Sequence, residues 1–241
     1  MTKGTKIYMG ICAAVLVCTA VAGVLTRFSF QGSTTLKQLT DNSNINQYTI
    51  QIFQEDGVDN LYNMFAKVSN YSELEKSSEL IAKVKVTDDR KLYSNTINTK
   101  VVLEEIYKSD GNLAKNDNIY IYEPAYFEEE FEIYDSQDGY QLMESGKEYY
   151  VFLNGIKTAE GYKKSEKEKI TFLPSTTKFS VYSTDNKEQK VLNQEKIDGD
   201  EERYNYGEIK NLNILTSSKN ELEIYENIRM ELINKIENKG F

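Results

Sequence analysis

Histidine and tryptophan are absent from the 241 residues, and proline and cysteine occur twice each. The missing imidazole removes the usual base for a serine or cysteine nucleophile, so hydrolases of that kind are excluded. A serine–lysine pair is formally open, but no motif points to one. Both cysteines, Cys12 and Cys18, lie inside one apolar run. The rest of the chain therefore forms no disulfide and holds no zinc site of the cysteine/histidine kind. No glycine-rich loop of the phosphate-cradling type occurs, which argues against nucleotide use. Basic charge is also short: beyond residue 30 there are 26 Lys+Arg against 38 Asp+Glu, a net charge of −12. That surface disfavours nucleic acid, whose binding draws on Lys and Arg releasing phosphate counterions, and it disfavours anionic lipid headgroups.

Charge is missing altogether from Ile7 to Leu25, nineteen residues flanked by Lys3, Lys6 and Arg27. At about 1.5 Å per helical residue the run is nearly as long as the roughly 30 Å hydrocarbon core of a bilayer. An uncleaved signal anchor is one reading. A cleaved signal peptide, with Ala20-Val21-Ala22 as its small-x-small site, is the other. Both put the chain after about residue 27 outside the cytoplasm, because the basic flank stays inside. A lipid-modified cysteine is not supported, since Val17 and Ile11 are the residues before Cys18 and Cys12.

The rest of the chain divides by pattern. Residues 1–26 are the anchor or signal, 27–46 a polar juxtamembrane spacer, and 47–241 a single extracytoplasmic domain. Leu61, Met64, Phe65 and Val68 recur at helical spacing behind Asp56, and Ser72-x-x-Glu75 has the form of a capping box. Alternation then predicts strands. Leu80, Ala82, Val84 and Val86 face one way, with Lys83 and Lys85 opposite. From Thr96 to Tyr107 the apolar parity switches between Val101-Leu103 and Val102-Ile106, as a bulged or strongly coiled strand requires. Asp110-Gly111 marks a turn. Asn118–Glu123 is a strand closed by Pro124, and Lys147–Leu153 is the most apolar strand. Ile170–Leu173 and Lys178–Tyr182 are predicted to pair around Pro174. Asp198–Glu202 is a solvated acidic loop whose spacing misses the EF-hand pattern. The C-terminus is an amphipathic helix over about 218–238. Ser218-x-x-Glu221 opens it, Leu222, Tyr225, Leu232, Ile233 and Ile236 form its apolar stripe, and Gly240 lies beyond its end. Closely spaced strands without strand–helix–strand alternation predict a mainly β fold with peripheral helices, a small OB-like barrel over about 77–182.

Within Ser77 to Asn154, the series SSELIAKVKV, TKVVLEEIYKSDG, NDNIYIYEP and SGKEYYVFL resembles the OB-like barrel of tissue inhibitors of metalloproteinases and netrin-like domains. The resemblance implies a cell-envelope protein with that barrel. In the animal inhibitors an amino-terminal cysteine reaches the protease zinc and disulfides hold the barrel. This chain has neither, so the zinc-directed mechanism does not carry over.

Carboxylates are the acid–base groups available in number. Glu128-Glu129-Glu130 and Asp198/Asp200 are the dense clusters, and adjacent strand residues alternate faces, so a glutamate run makes a solvated edge rather than a catalytic pair. Tyr120 to Tyr134 interleaves rings with acids. Tyr120, Tyr122, Tyr126, Phe127, Glu128 and Glu130 form the candidate interaction surface, for a cationic peptide or a polysaccharide. The competing arrangement sends alternate rings into the barrel and acids into water. The expectation is a non-enzymatic binding module, anchored by its N-terminal helix with the N-terminus cytoplasmic. It has no catalytic residue, metal or other cofactor, and it binds a protein or cell-envelope component rather than nucleic acid. A secreted protease-inhibitor-like barrel is the alternative, and a carboxylate-only hydrolase stands below that.

Overall fold

A computed structural model describes residues 34–53, 67–93, 95–109, 111, 113–199 and 202–238, with Val15, Leu16 and Thr19. The chain divides between residues 33 and 34 into two units, and the fold below is that of the second. Among the described residues no helix is long and apolar enough to cross a membrane. The expected span 7–25 lies outside them apart from those three helical residues. The helical stretch Leu61–Phe65 and the terminating Gly240 also lie outside them.

Five strands close a barrel. Strands β2 (Leu80–Tyr93) and β3 (Thr96–Ser109) form a long antiparallel hairpin, and β4 (Asn118–Glu123) pairs antiparallel with β3. Strand β8 (Thr171–Pro174) lies parallel to β4, β7 (Glu148–Gly155) antiparallel to β8, and β7 returns to β2. The order β2-β3-β4-β8-β7-β2 leaves no open edge within the ring and is consistent with an OB-like barrel. Leu80, Ala82, Val84 and Val86 fill it from β2, with Val101 and Leu103, Ile119 and Ile121, Val151 and Leu153 from its neighbours.

The parity switch in β3 has a local cause. Val84 pairs with Leu103 and Lys83 with Glu105, so Glu104 is an extra residue in the ladder; Tyr107 is a second, between Ile106 and Lys108. Each bulge turns the pleat by one position, which lets Leu103 and Ile106 both face the barrel core.

One sequence expectation is corrected in the sheet. The segments around Pro174 do not pair with each other. Strands β8 and β9 (Val181–Ser183) both bond to the same edge of β7. The turn between them is held by its own hydroxyls: the Thr176 amide donates to Ser180 Oγ at 2.6 Å and the Phe179 amide to Thr176 Oγ1 at 2.8 Å. Those side-chain bonds replace a hairpin ladder.

A second sheet has the order β1 (Thr49–Phe53), β6 (Ile133–Gln137), β5 (Ala125–Glu128), with β1 parallel to β6. Its inner face carries Ile50, Tyr134, Phe127 and Ala125 into a core shared with Ile97 of β3. Residues 36–42, expected within the spacer, belong to this core. Leu36–Asn42 is a helix whose Thr35 hydroxyl accepts from the Gln38 amide while Gln38 Oε1 accepts from the Thr35 amide, and Leu39 is buried. The Thr35-x-x-Gln38 box was the signal for it.

The third core lies outside the barrel wall. Ile81 and Phe152, on the outward side of β2 and β7, pack with Tyr71, Leu74, Tyr182, Tyr225, Ile228 and Leu232. Tyr71 and Leu74 come from the helix Tyr71–Ser77, capped by Asn70 rather than by Ser72. Tyr225, Ile228 and Leu232 come from the C-terminal helix Lys219–Glu237, whose Ser218 cap accepts from the Glu221 amide. Of the expected stripe, Leu222, Ile233 and Ile236 are half-buried at its margins, and Ile228 is an addition at its centre.

Candidate functional site

Strand alternation decides what each side of β3 and β4 displays. Ile119, Ile121 and Glu123 of β4 point inward and are fully buried, which leaves Tyr120 and Tyr122 on the outer face. On β3, Thr99 and Val101 point inward, so Asn98 and Lys100 share the face with the tyrosines. Register fixes the neighbours: Lys100 lies opposite Tyr120, and Asn98 opposite both Tyr122 and Lys91 of β2. Tyr93, at the end of β2, meets Tyr122 edge-to-face with ring centroids 6.0 Å apart.

The segment between β7 and β8 borders this face. It contains Lys157, Lys163, Lys164, Lys167 and Lys169 against Glu160, Glu166 and Glu168. Its short helix, Glu166–Lys169, closes a reciprocal cap with Ser165. Lys167 Nζ stands 4.4 Å from the centroid of the Tyr120 ring. Burial, then repulsion from Lys91, holds the Lys167 ammonium below its ordinary pKa, while Asp89 acts in the opposite sense. Tyr122 is raised by burial, by Tyr93 and by Glu168. Among the described residues Lys91, Lys100 and Lys167 make no ion pair. Asn98 is 2 % exposed, yet its amide nitrogen has no hydrogen-bond partner.

The residues expected to form one surface are divided. Tyr120 and Tyr122 are half-exposed on the barrel face. Tyr126 and Glu128 are half-exposed on the outer face of the second sheet, where Tyr126 sits opposite Asp135. Glu130 is exposed in the turn between β5 and β6. Phe127 is a correction: it is 5 % exposed, packed among Tyr48, Tyr134 and Tyr206, because β5 turns it into the core. The idea that rings fill the barrel while acids face water is reversed on β4. There, isoleucines line the interior, the tyrosines face outward, and the acid is inside.

That acid, Glu123, accepts four hydrogen bonds. Its Oε1 accepts from Arg90 Nη2 at 2.6 Å and from the Thr99 hydroxyl; its Oε2 accepts from the Tyr140 hydroxyl at 3.0 Å and the Met143 amide at 2.9 Å. Arg90 also donates to Thr99 Oγ1 at 3.0 Å and to the Met143 carbonyl at 2.7 Å. The pair is almost wholly buried. Burial first, then the Glu123 charge, raises the Tyr140 hydroxyl, which keeps it a donor; nearby Tyr206 is pushed up to about 12, chiefly by burial. A carboxylate with four donors on it has no lone pair aimed at a substrate. This node is structural. Arg90 also lines a cleft together with Lys37, Asp41, Asp88, Glu144 and Tyr206.

The sequence reading missed Asn98, Lys91, Lys100 and Lys167. The strand pattern contained the signal for two of them, since Asn98 and Lys100 alternate with Thr99 and Val101, and cross-strand register brings them to Tyr122 and Tyr120. No protein-family model matches the sequence, and no match is found among curated proteins.

Proposed function

We propose that this chain is a non-enzymatic binding module of the cell envelope. In this reading its N-terminal segment addresses it to the membrane, with the folded domain on the extracytoplasmic side, and the barrel's outer tyrosine face engages an envelope component. The finer likeness, to the barrel of tissue inhibitors of metalloproteinases and netrin-like domains, belongs to the same reading. It rests on the motifs between Ser77 and Asn154 and lends support at the level of a five-stranded barrel. The observation that carries the function is the outward placement of Tyr120 and Tyr122 beside lysines that have no ion-pair partner among the described residues. A barrel interior has no use for these side chains, whereas a surface holding rings and free donors together offers both contact area and orientation to a ligand. The absence of histidine, and the engagement of Glu123 in four hydrogen bonds, favour binding over turnover.

The test is retention of the full chain on isolated cell-envelope material, compared with the Tyr120→Ala/Tyr122→Ala double variant. Loss of retention with an unchanged melting temperature supports the reading. Equal retention of both proteins removes the tyrosine face from the function. Mass spectrometry of the membrane fraction reports on the address: residues 1–22 present mean an anchor, and a form starting at Gly23 means a cleaved signal.

A further inference from the structure

We infer that the tyrosine face receives a second copy of this chain, which seats its turn between β5 and β6 there, so that copies associate head to tail. The inference rests on the binding reading above and deepens it: the envelope component at this face is a neighbouring copy. Its basis is two separate surface patches of opposite sign.

The first patch is basic. Lys85, Lys91 and Lys100 stand on the outer side of β2 and β3, and Lys167 joins them over Tyr120. Tyr93, Tyr120 and Tyr122 lie half-exposed beside them. The second patch is acidic and occupies the four residues that join β5 to β6. Glu129, Glu130 and Glu132 are exposed there, and Glu128 is half-exposed at the end of β5. Among the described residues none of these lysines or glutamates makes an ion pair, so the two patches of one chain do not satisfy each other.

Phe131 stands inside the acidic turn and is 62 % exposed. The turn holds it in a fixed shape. Glu132 has φ of +52°, in the left-handed region that a non-glycine residue seldom adopts, and its carbonyl accepts from the Thr49 amide of β1 at 2.9 Å. An apolar ring is thus presented to solvent between carboxylates, on a turn tied to its sheet.

Charge selects the occupant. In a chain of net charge −9, two copies repel on average, and the attractive orientation is the one that sets the four lysines against the four glutamates. Exposed ion pairs are each worth little, so such a contact needs an apolar anchor as well. Phe131 supplies the anchor, and the half-exposed tyrosines supply its seat. An unrelated acidic or basic partner would answer one patch and leave the other idle, whereas a second copy answers both. Tyr120, Tyr122, Glu128 and Glu130, divided within one chain, come together across two. Because turn and face are different patches, the contact is heterologous, and each copy keeps one free turn or face for the next.

Sedimentation velocity of the full chain in detergent micelles tests this, since the apolar N-terminal segment is common to every variant. The parent should gain mass with concentration and lose it as salt rises. Phe131→Ala alters an exposed side chain, so it should keep the melting temperature and weaken association about 10-fold. Two charge variants discriminate further. Glu129→Lys/Glu130→Lys and Lys91→Glu/Lys100→Glu should each melt as the parent does and fail to self-associate. Mixed, they should form a 1:1 pair and grow no further, because the intact face of the first still fits the intact turn of the second. A parent that stays monomeric, association indifferent to salt and to Phe131→Ala, or a mixture that does not pair would each overturn the inference. If the parent does not self-associate while Tyr120→Ala/Tyr122→Ala still loses envelope retention, the inference fails and the binding reading stands.

Discussion

Glu123 receives four donors and faces no acceptor, and this makes the outcome of Glu123→Gln calculable. Glutamine keeps one acceptor oxygen and replaces the other with an NH2 group. Whichever way the amide turns, its N–H groups meet either the Arg90 guanidinium and Thr99 hydroxyl or the Tyr140 hydroxyl and Met143 amide. The hydroxyls can rotate; the Met143 N–H and Arg90 cannot. Arg90 is left as an uncompensated charge with a side chain 6 % exposed. Removing one partner of a buried pair costs about 3–5 kcal/mol, against a net stability of about 5–15 kcal/mol for a domain. Glu123→Gln should therefore be nearly as harmful as Glu123→Ala, although it is the isosteric change. Removing both charges with Arg90→Met/Glu123→Leu should cost less than the two single changes added together, by about 2 kcal/mol. Urea denaturation followed by tyrosine fluorescence measures the parent, Glu123→Gln, Glu123→Ala, Arg90→Met, Glu123→Leu and the double variant, in a chain of 18 tyrosines without tryptophan. If Glu123→Gln costs less than about 1 kcal/mol, the four-donor account is wrong, because a tolerated N–H would require a free acceptor there.

Leu232→Ala should lose about 2–5 kcal/mol, because the side chain is fully buried against the barrel wall, while the exposed Glu231→Ala should stay within about 0.5 kcal/mol. If neither moves the urea midpoint, the helix does not pack as described. Burial raises the Asp135 carboxyl above its ordinary 3.8, with the Tyr126 hydroxyl bond opposing. The stability this group permits is full below that ordinary value and falls as pH rises through the folded one. Asp135→Asn should then be more stable than the parent at pH 7 and equal to it near pH 3, by thermal melts; a pH-independent difference would refute the sign. Beyond residue 18 the chain has neither cysteine nor histidine, so EDTA and dithiothreitol should leave the melting temperature of the domain unchanged. A large drop with EDTA would reveal a cation held by carboxylates.

The barrel was readable because its signals are local. The alternation of Leu80 to Val86, the parity switch after Val101-Leu103 and the Ser218 cap each sit within a few residues and were stated from sequence. What escaped depended on pairing. That β8 and β9 share one edge of β7 follows from hydroxyl bonds inside the turn at Thr176–Ser180, which hydrophobic pattern does not encode. Burial of Glu123 could not be read from its own strand, because its partners come from Arg90, Thr99, Tyr140 and Met143. The candidate surface was half legible. Tyr120 and Tyr122 were named from ring–acid interleaving, but the lysines beside them arrive from β2, β3 and the segment before β8. Phe127 looked equivalent to Tyr126 in sequence; pleat parity alone separates them.

Strand β2 contributes to every hydrophobic cluster in the domain: Ile81 to the helices, Val84 to the barrel, Leu92 to the second sheet. Among the described residues of this unit, the three interiors share this one strand. Variation is confined to what hangs off the ladder. The segment 156–170 lies beside the tyrosine face, and Ile170 is its one hydrophobic residue that packs against any of the three cores. Duplicates of this gene could diverge in ligand preference by rewriting those fifteen residues while inheriting the scaffold unchanged.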